Sequence, residues 1–440
     1  MSFGAWLDSL LYYCLLWSVA SARAPTMVYF NAYATVDENT FYIQGGTDVT
    51  NSSITYNQFF SLDLTRSWNT SNPPWSEVIT AAGGRMPARL KASFHSMSLS
   101  KDKKTLTFWD LYNTPPYGSN FHLDTNKWED LSALPAQIPD RLKVLKAATD
   151  ATTDRVYIPG GAPGNEMLAY DPFSKAFSVI AVPPGGTPLS WSTYTFAWNE
   201  VRRSFLYFGG YEMPGPSYFY EYAPAAAIPW TALTSSGSVP PQLSNSCMVS
   251  AYDGAKMIVF GGTVIGKIYG SLYILDVPTM TWSLGPSSQP RMAMSCSVSG
   301  DNFIVWGGVS WNESAKTVLL PATPVIYNMY SAQWKTNFIS KQDTAPRLVP
   351  TTPPSSTGSG ESGGGGTETG VVIGGTVTGP SGVENPVTAA PKSNNAAIIG
   401  GSASAGIVIV SIAVMVGVVV IRRRRNSRRR VSLPMEFWNI

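Results

Sequence analysis

Histidine is nearly missing from this chain: 440 residues contain only His95 and His122. Imidazole is the commonest metal ligand and general base, and copper binding needs several imidazole, thiolate or similar donors converging. The two sit in different strands of one sequence repeat, which disfavours a shared copper site. Neither an HExxH nor a complete phosphate-loop sequence is present. The reading is therefore non-enzymatic, with no catalytic residue, no metal and no cofactor. Charge is also scarce, at 13% Asp, Glu, Lys and Arg. The overall +3 comes from the last 19 residues, which hold seven Arg and one Glu; the remainder sums to −3. A slightly acidic body lacks the basic stripe that nucleic-acid binding requires. Cysteine is limited to three, and Cys14 falls in a segment expected to be removed.

What is abundant is glycine (39), proline (33) and aromatic residues (12%). Such a composition suits many short strands joined by tight turns. A unit recurs along the chain: an apolar run ending in Gly-Gly, a loop, an aromatic strand and a closing aromatic. Copies run from FYIQGG to Trp68, VYIPGG to Phe177, LYFGG to Trp230, MIVFGG to Trp282 and IVWGG to Trp334. A degenerate copy has Trp109-Asp110 in place of the glycines and ends at Trp128. The closing aromatics are spaced 60, 49, 53, 52 and 52 residues apart. A period near ~50 predicts an all-β, six-bladed propeller over residues 25–340. Asp, Asn and Gly between the first two strands of each copy (Asp37-Glu38-Asn39, Thr153-Asp154, Asp253-Gly254) are hairpin chemistry, and account for many carboxylates.

At Gly261-Gly262, Tyr273, Asp276 and Trp282 the chain resembles the kelch-repeat family, including the propeller shared with galactose oxidase. The resemblance covers about 310 residues. It implies a ring of four-stranded blades that usually serves as a binding scaffold. The galactose-oxidase chemistry would need two His, a Tyr pair and a cross-linked Cys. The second repeat lacks its Gly-Gly and the third closes with Phe177, so distortion is expected there.

The flanks predict a membrane protein. Leu10–Ala20 is an apolar run followed by Ser21-Ala22-Arg23-Ala24, a signal peptide over 1–24, although its start carries no Lys or Arg. Residues 341–395, rich in Gly, Ser, Thr and Pro, read as a disordered stalk. Ala396–Ile421 is 26 residues without a charge, a transmembrane helix. The seven arginines after it make 422–440 a cytoplasmic tail. The topology is single-pass type I, at the cell surface or in the secretory pathway. Within the tail, Arg429-Arg430-Val431-Ser432-Leu433-Pro434 resembles a basophilic kinase substrate. The phosphorylated form resembles a 14-3-3 ligand, and the added charge would weaken binding of the arginines to anionic lipid.

Asn51, Asn69 and Asn312 begin N-glycosylation sequons. Asn51 and Asn312 fall between second and third strands of the first and last repeats, and Asn69 at the end of the first. If these repeats meet in the ring, the three glycans crowd one sector of one face. A partner is then expected over repeats three to five, whose loops carry Tyr211, Tyr218 and Tyr269. That partner is a protein or a cell-surface glycan. Cys247 and Cys296, in the first strands of consecutive repeats, are a candidate disulfide in an oxidising compartment; two buried thiols are the alternative.

Overall fold

The computed structural model describes residues 24–78, 91–110, 118–131, 145–160, 166–181, 192–210, 219–312, 317–318 and 323–343. The expected signal peptide, transmembrane helix and basic tail, Ser432, Tyr211, Tyr218 and nearly all of the expected stalk lie outside them.

Six antiparallel four-stranded sheets are built from consecutive sequence. Blade 1 comprises Ala32–Val36, Thr40–Gln44, Phe59–Asp63 and Trp75–Glu77. The inner strands of the other blades are Ser96–Leu99, Ala148–Thr149, Tyr194–Asn199, Cys247–Ala251 and Ser295–Ser299. Each inner strand contacts the next, and the sixth contacts the first, so the ring is closed. Blades 2 and 3 have all four strands despite their altered repeat residues. Blade 5 gains a fifth, parallel strand, Ser236–Gly237, which covers its outer edge beside Thr281–Gly285.

The second strands are predominantly apolar because their central residues are buried on both faces. Phe41, Leu106, Phe205, Ile258 and Ile304 are all at 0% exposure. In four blades the Gly-Gly pair staples this strand to the next blade. The second glycine N–H donates to an incoming carbonyl: Gly46 to Ala92, Gly210 to Leu243, Gly262 to Arg291 and, closing the ring, Gly308 to Val28, at 2.8–3.0 Å. The first glycine has positive φ, and a Cβ at Gly209 would lie 2.0 Å from the Leu243 carbonyl oxygen. Only glycine fits there.

In five blades the closing aromatic packs toward the preceding blade, whereas Trp230 of blade 4 packs on Tyr207 and Tyr222 of its own sheet. Trp282 lies 5.9 Å from Phe208, Trp334 5.5 Å from Phe260, Trp128 5.8 Å from Phe59 and Phe177 5.9 Å from Trp109. In blade 1 this position belongs to Trp75, 5.5 Å from Trp306, and not to Trp68. The register agrees: Leu62 pairs with Trp75 as Leu275 pairs with Trp282. Measured from Trp75, the first step is 53 residues, in line with the others.

Trp68 belongs to an insertion between the third and fourth strands of blade 1. Its strand Trp68–Asn69 pairs with Asn337–Phe338, just after blade 6. Phe338 is fully buried and stacks on Trp68 at 5.0 Å. The Ser340 hydroxyl donates to the Thr65 carbonyl at 2.9 Å, and Ser67 donates to Asp343. This C-terminal latch wedges between blades 1 and 6.

Candidate functional site

The propeller has two unlike ends. One carries the loops after the Gly-Gly pairs; the other carries the tight turns between first and second strands. Charged side chains populate the turn end, where Lys103 pairs with Asp37 at 2.5 Å and Lys341 approaches Glu38 at 3.9 Å. The latch runs to this end, and Asp343 is the last residue described there.

At the loop end, blade 5 projects a small hairpin, Thr263–Val264 with Lys267–Ile268. Its two-residue turn is Ile265-Gly266, with φ of 46° and 77°. Positive φ at both central positions is the type I′ arrangement that Asn-Gly serves best. A β-branched residue there is strained. Ile265 is nonetheless 100% exposed, presented with no packing of its own. Tyr269 sits at the base of this hairpin, half-buried, with the Lys267 ammonium 5.3 Å above its ring. Sequence reasoning selected Tyr269 and passed over Ile265; the apolar residue directly before Gly266 was the available signal.

Beneath the same blade lies Arg291, at 0% exposure. Its Nη1 donates to the Gly307 carbonyl at 3.4 Å, while Nε and Nη2 have no partner among the described residues. Burial lowers its pKa to about 10.

At the centre of the loop end, the chain entering five of the six inner strands forms an iris, blade 3 being the exception. Phe30, Phe94, Thr193, Asn245 and Ala293 occupy equivalent places, all with φ between 53° and 67°. Their backbones bond around the axis: Phe94 to Phe30, Phe30 to Ala293, Ala293 to Asn245 and Asn245 to Thr193. The iris narrows the central channel to a cavity of about 20 Å³. Below it the channel widens to about 460 Å³ between the inner strands, bordered at the turn end by Asp37, Glu38 and Lys103.

The predicted sites distribute as follows. Asn51 is exposed on the loop end, in a turn organised by Asp48, whose carboxylate accepts from Thr50, Asn51 and Tyr56. The Thr50 bond, ahead of the others, holds the Asp48 pKa down to about 2. Asn312 is in the short strand Trp311–Asn312, also at the loop end. Asn69 is at the opposite end. The insertion that carries it starts beside the blade 1 hairpin turn, where the Leu64 N–H donates to the Asn39 carbonyl. The sequons therefore do not share a face, because the six extra residues of blade 1 belong to a turn and not to a blade end. Asn69 donates through Nδ2 to Asn337 Oδ1 at 2.7 Å. Cys247 and Cys296 are placed as a disulfide, with Cα atoms 6.2 Å apart. Neighbouring inner strands are thus within bridging range.

His95 lies at the channel neck, hydrogen-bonded to Gln44, its pKa lowered to about 3 by burial and then by Lys146. His122 meets Glu129 at 3.1 Å on the outer part of the same blade. Among the described residues no three or more His, Cys, Asp or Glu converge as a metal site.

The family model for the KLHDC2/KLHL20/DRC7 Kelch-repeats domain matches residues 114–308 and 200–353. No curated protein matches the chain. Those two overlapping matches span more than half of the sequence and fall on the blades whose glycine staples and wedge aromatics were described above; the chain belongs to the kelch-repeat family.

Proposed function

We propose that the chain is a membrane-anchored scaffold that displays its kelch propeller outside the cytoplasm and binds a protein partner at the loop end over blade 5. Kelch propellers are binding platforms, and here the repeat residues are consumed by turns, staples and wedges. The observation that carries the reading is Ile265, a fully exposed β-branched residue held at φ 46° on a hairpin tip. A strained turn that holds an apolar side chain uncovered presents that side chain to a partner able to bury it. Tyr269 at the hairpin base adds an amphipathic ring suited to the same interface. The location rests on the sequence: a signal peptide, a 26-residue apolar run and the arginines after it.

The test is affinity capture with the secreted propeller from its native source, comparing wild type with Ile265→Asp. A protein retained by the wild type and lost from the variant supports the reading. Equal capture by both places the interface elsewhere, and selective binding to a glycan array would favour a carbohydrate ligand. Enzymatic deglycosylation that shifts the mass of the full-length protein tests its passage through the secretory pathway.

A further inference from the structure

Lys146 is the outstanding charge inside the ring. It enters from blade 3, just before Ala148–Thr149, and borders both the neck cavity and the wide channel. Its ammonium stands 5.2 Å from the centre of the Tyr33 ring, a cation–π contact across the channel. No carboxylate among the described residues pairs with it, and burial alone lowers its pKa to about 8. Asp37 and Glu38, at the far mouth, are engaged by Lys103 and Lys341.

The neck itself does not supply the missing negative charge. Five buried polar atoms line it without partners: Asn31 Oδ1, His95 Nδ1, Thr193 Oγ1, Asn245 Oδ1 and Ser246 Oγ. Gln44 Oε1 takes the His95 Nε2 proton, so Nδ1 presents a bare lone pair. Three of the five are thus acceptors only, and 20 Å³ is the size of one water. A water there can donate to two acceptors and accept from Lys146.

The wide chamber is different. Its volume, about 460 Å³, lies within the usual range for small-molecule sites. Its wall is largely apolar (Ala34, Met97, Leu99, Met248, Val249, Val298). An ammonium with no carboxylate partner among the described residues, at the neck end of an apolar-walled chamber, has the polarity of a site for an amphipathic acid.

We propose that the channel binds a small organic carboxylate, its anionic head on Lys146 and its hydrocarbon body along the apolar wall, entering from the turn end. This site is independent of the partner-binding loops.

The experiment titrates the purified full-length protein with hexanoate and, separately, with neutral hexan-1-ol and sodium chloride, followed by calorimetry. The expected result is one hexanoate per chain, bound at least about ten-fold more tightly than hexan-1-ol, with that advantage lost in Lys146→Met; tenfold is 1.4 kcal/mol. Equal affinity for the acid and the alcohol, no hexanoate binding, unchanged binding by the variant, or competition by chloride at equal ionic strength strong enough to abolish it would each overturn the proposal. A readout on wild-type protein guards against a variant that fails to fold. Hexanoate, but not hexan-1-ol, should slow reductive methylation of Lys146 several-fold by mass spectrometry, and the absence of slowing overturns the proposal as well.

Discussion

Replacing Phe338 with alanine tests whether the C-terminal latch closes the ring. The ring is fully buried, stacks on Trp68 at 5.0 Å, and joins a cluster drawn from both blades it separates: Phe41, Leu62 and Trp75 of blade 1, and Ile304, Trp306 and Ile326 of blade 6. A Phe→Ala change in such a site costs about 3–5 kcal/mol, from lost transfer energy and the cavity left behind. Whole domains are stable by only about 5–15 kcal/mol, so this one contact is a large share. Ile339, next in sequence, is 45% exposed, and Ile339→Ala should cost no more than about 1 kcal/mol. Urea denaturation of the two variants measures the difference. Hydrogen exchange locates it, because the Thr70 N–H donates to the Thr336 carbonyl at 2.8 Å and should lose protection only in the Phe338 variant. If the two variants lost equal stability, or Thr70 stayed protected in Phe338→Ala, the ring would close without the latch.

Ile265→Asn should slow amide exchange in the Thr263–Ile268 hairpin, by up to about 1 kcal/mol, because Asn tolerates positive φ and Ile265 has no packing to lose; faster exchange would show that the turn is unstrained. Arg291→Met should leave stability unchanged or raise it, since it removes a buried charge with two unpartnered nitrogens; a loss of several kcal/mol in a melt would reveal an anion held there. Acid should loosen the Asn51 turn through Asp48, whose pKa is depressed. Its contribution is full above the ordinary carboxylate value and lost as pH falls through about 2, so Asp48→Asn should exchange rapidly in that turn at neutral pH and show no further acid step. A Cys247–Cys296 bridge closes a 49-residue separation and by loop entropy is worth about 4 kcal/mol, so reduction should lower the denaturation midpoint; two free thiols by mass spectrometry of the unreduced protein would reject the bridge.

The sequence made the propeller legible because its glycines and aromatics have one physical job each and recur. Gly-Gly marks where a Cβ would strike the next blade's carbonyl, and that need repeats in four blades. The irregular first step of 60 residues was also legible as irregular, but its cause was not. Trp68 lies five residues beyond Leu62-Asp63, close to the spacing of Trp282 after Leu275-Asp276. Only the pairing of Leu62 with Trp75 shows that six residues had been inserted in the turn. The latch was hidden for a related reason: Asn337–Phe338 is a two-residue strand, too short to carry alternation. The iris was hidden because Phe30, Phe94 and Ala293 take positive φ without the glycine that would advertise it. Candidate loop residues fared unevenly. Tyr269 is at the base of the exposed hairpin, whereas Tyr211 and Tyr218 lie outside the described residues.

Ring closure here uses both ends of the folded region, one at each face. Near the N-terminus, the Val28 carbonyl takes the Gly308 N–H and the Phe30 N–H reaches Ala293, so the loop end is fastened by the segment before blade 1. The C-terminal latch fastens the turn end. Among the described residues no blade strand is exchanged between the two ends, because every blade is complete within its own sequence. A ring closed by an exchanged strand loses a whole blade when that strand is released. In this arrangement, releasing the latch leaves six intact sheets and opens only the seam between blades 1 and 6. That seam contains Asn69, whose amide nitrogen is the atom glycosylation would modify and is bonded to Asn337 of the latch. A glycan at Asn69 would replace one of that nitrogen's two hydrogens, leaving a single N–H for Asn337 and bringing the sugar into the seam. Residues 336–340 are synthesised long after Asn69, so if a glycan is added during synthesis the latch would close on the modified form. Asn69→Gln, which removes the sequon and keeps an amide, separates the two effects: a more stable protein than the glycosylated wild type would mean that the glycan weakens the seam, and a less stable one that it protects it.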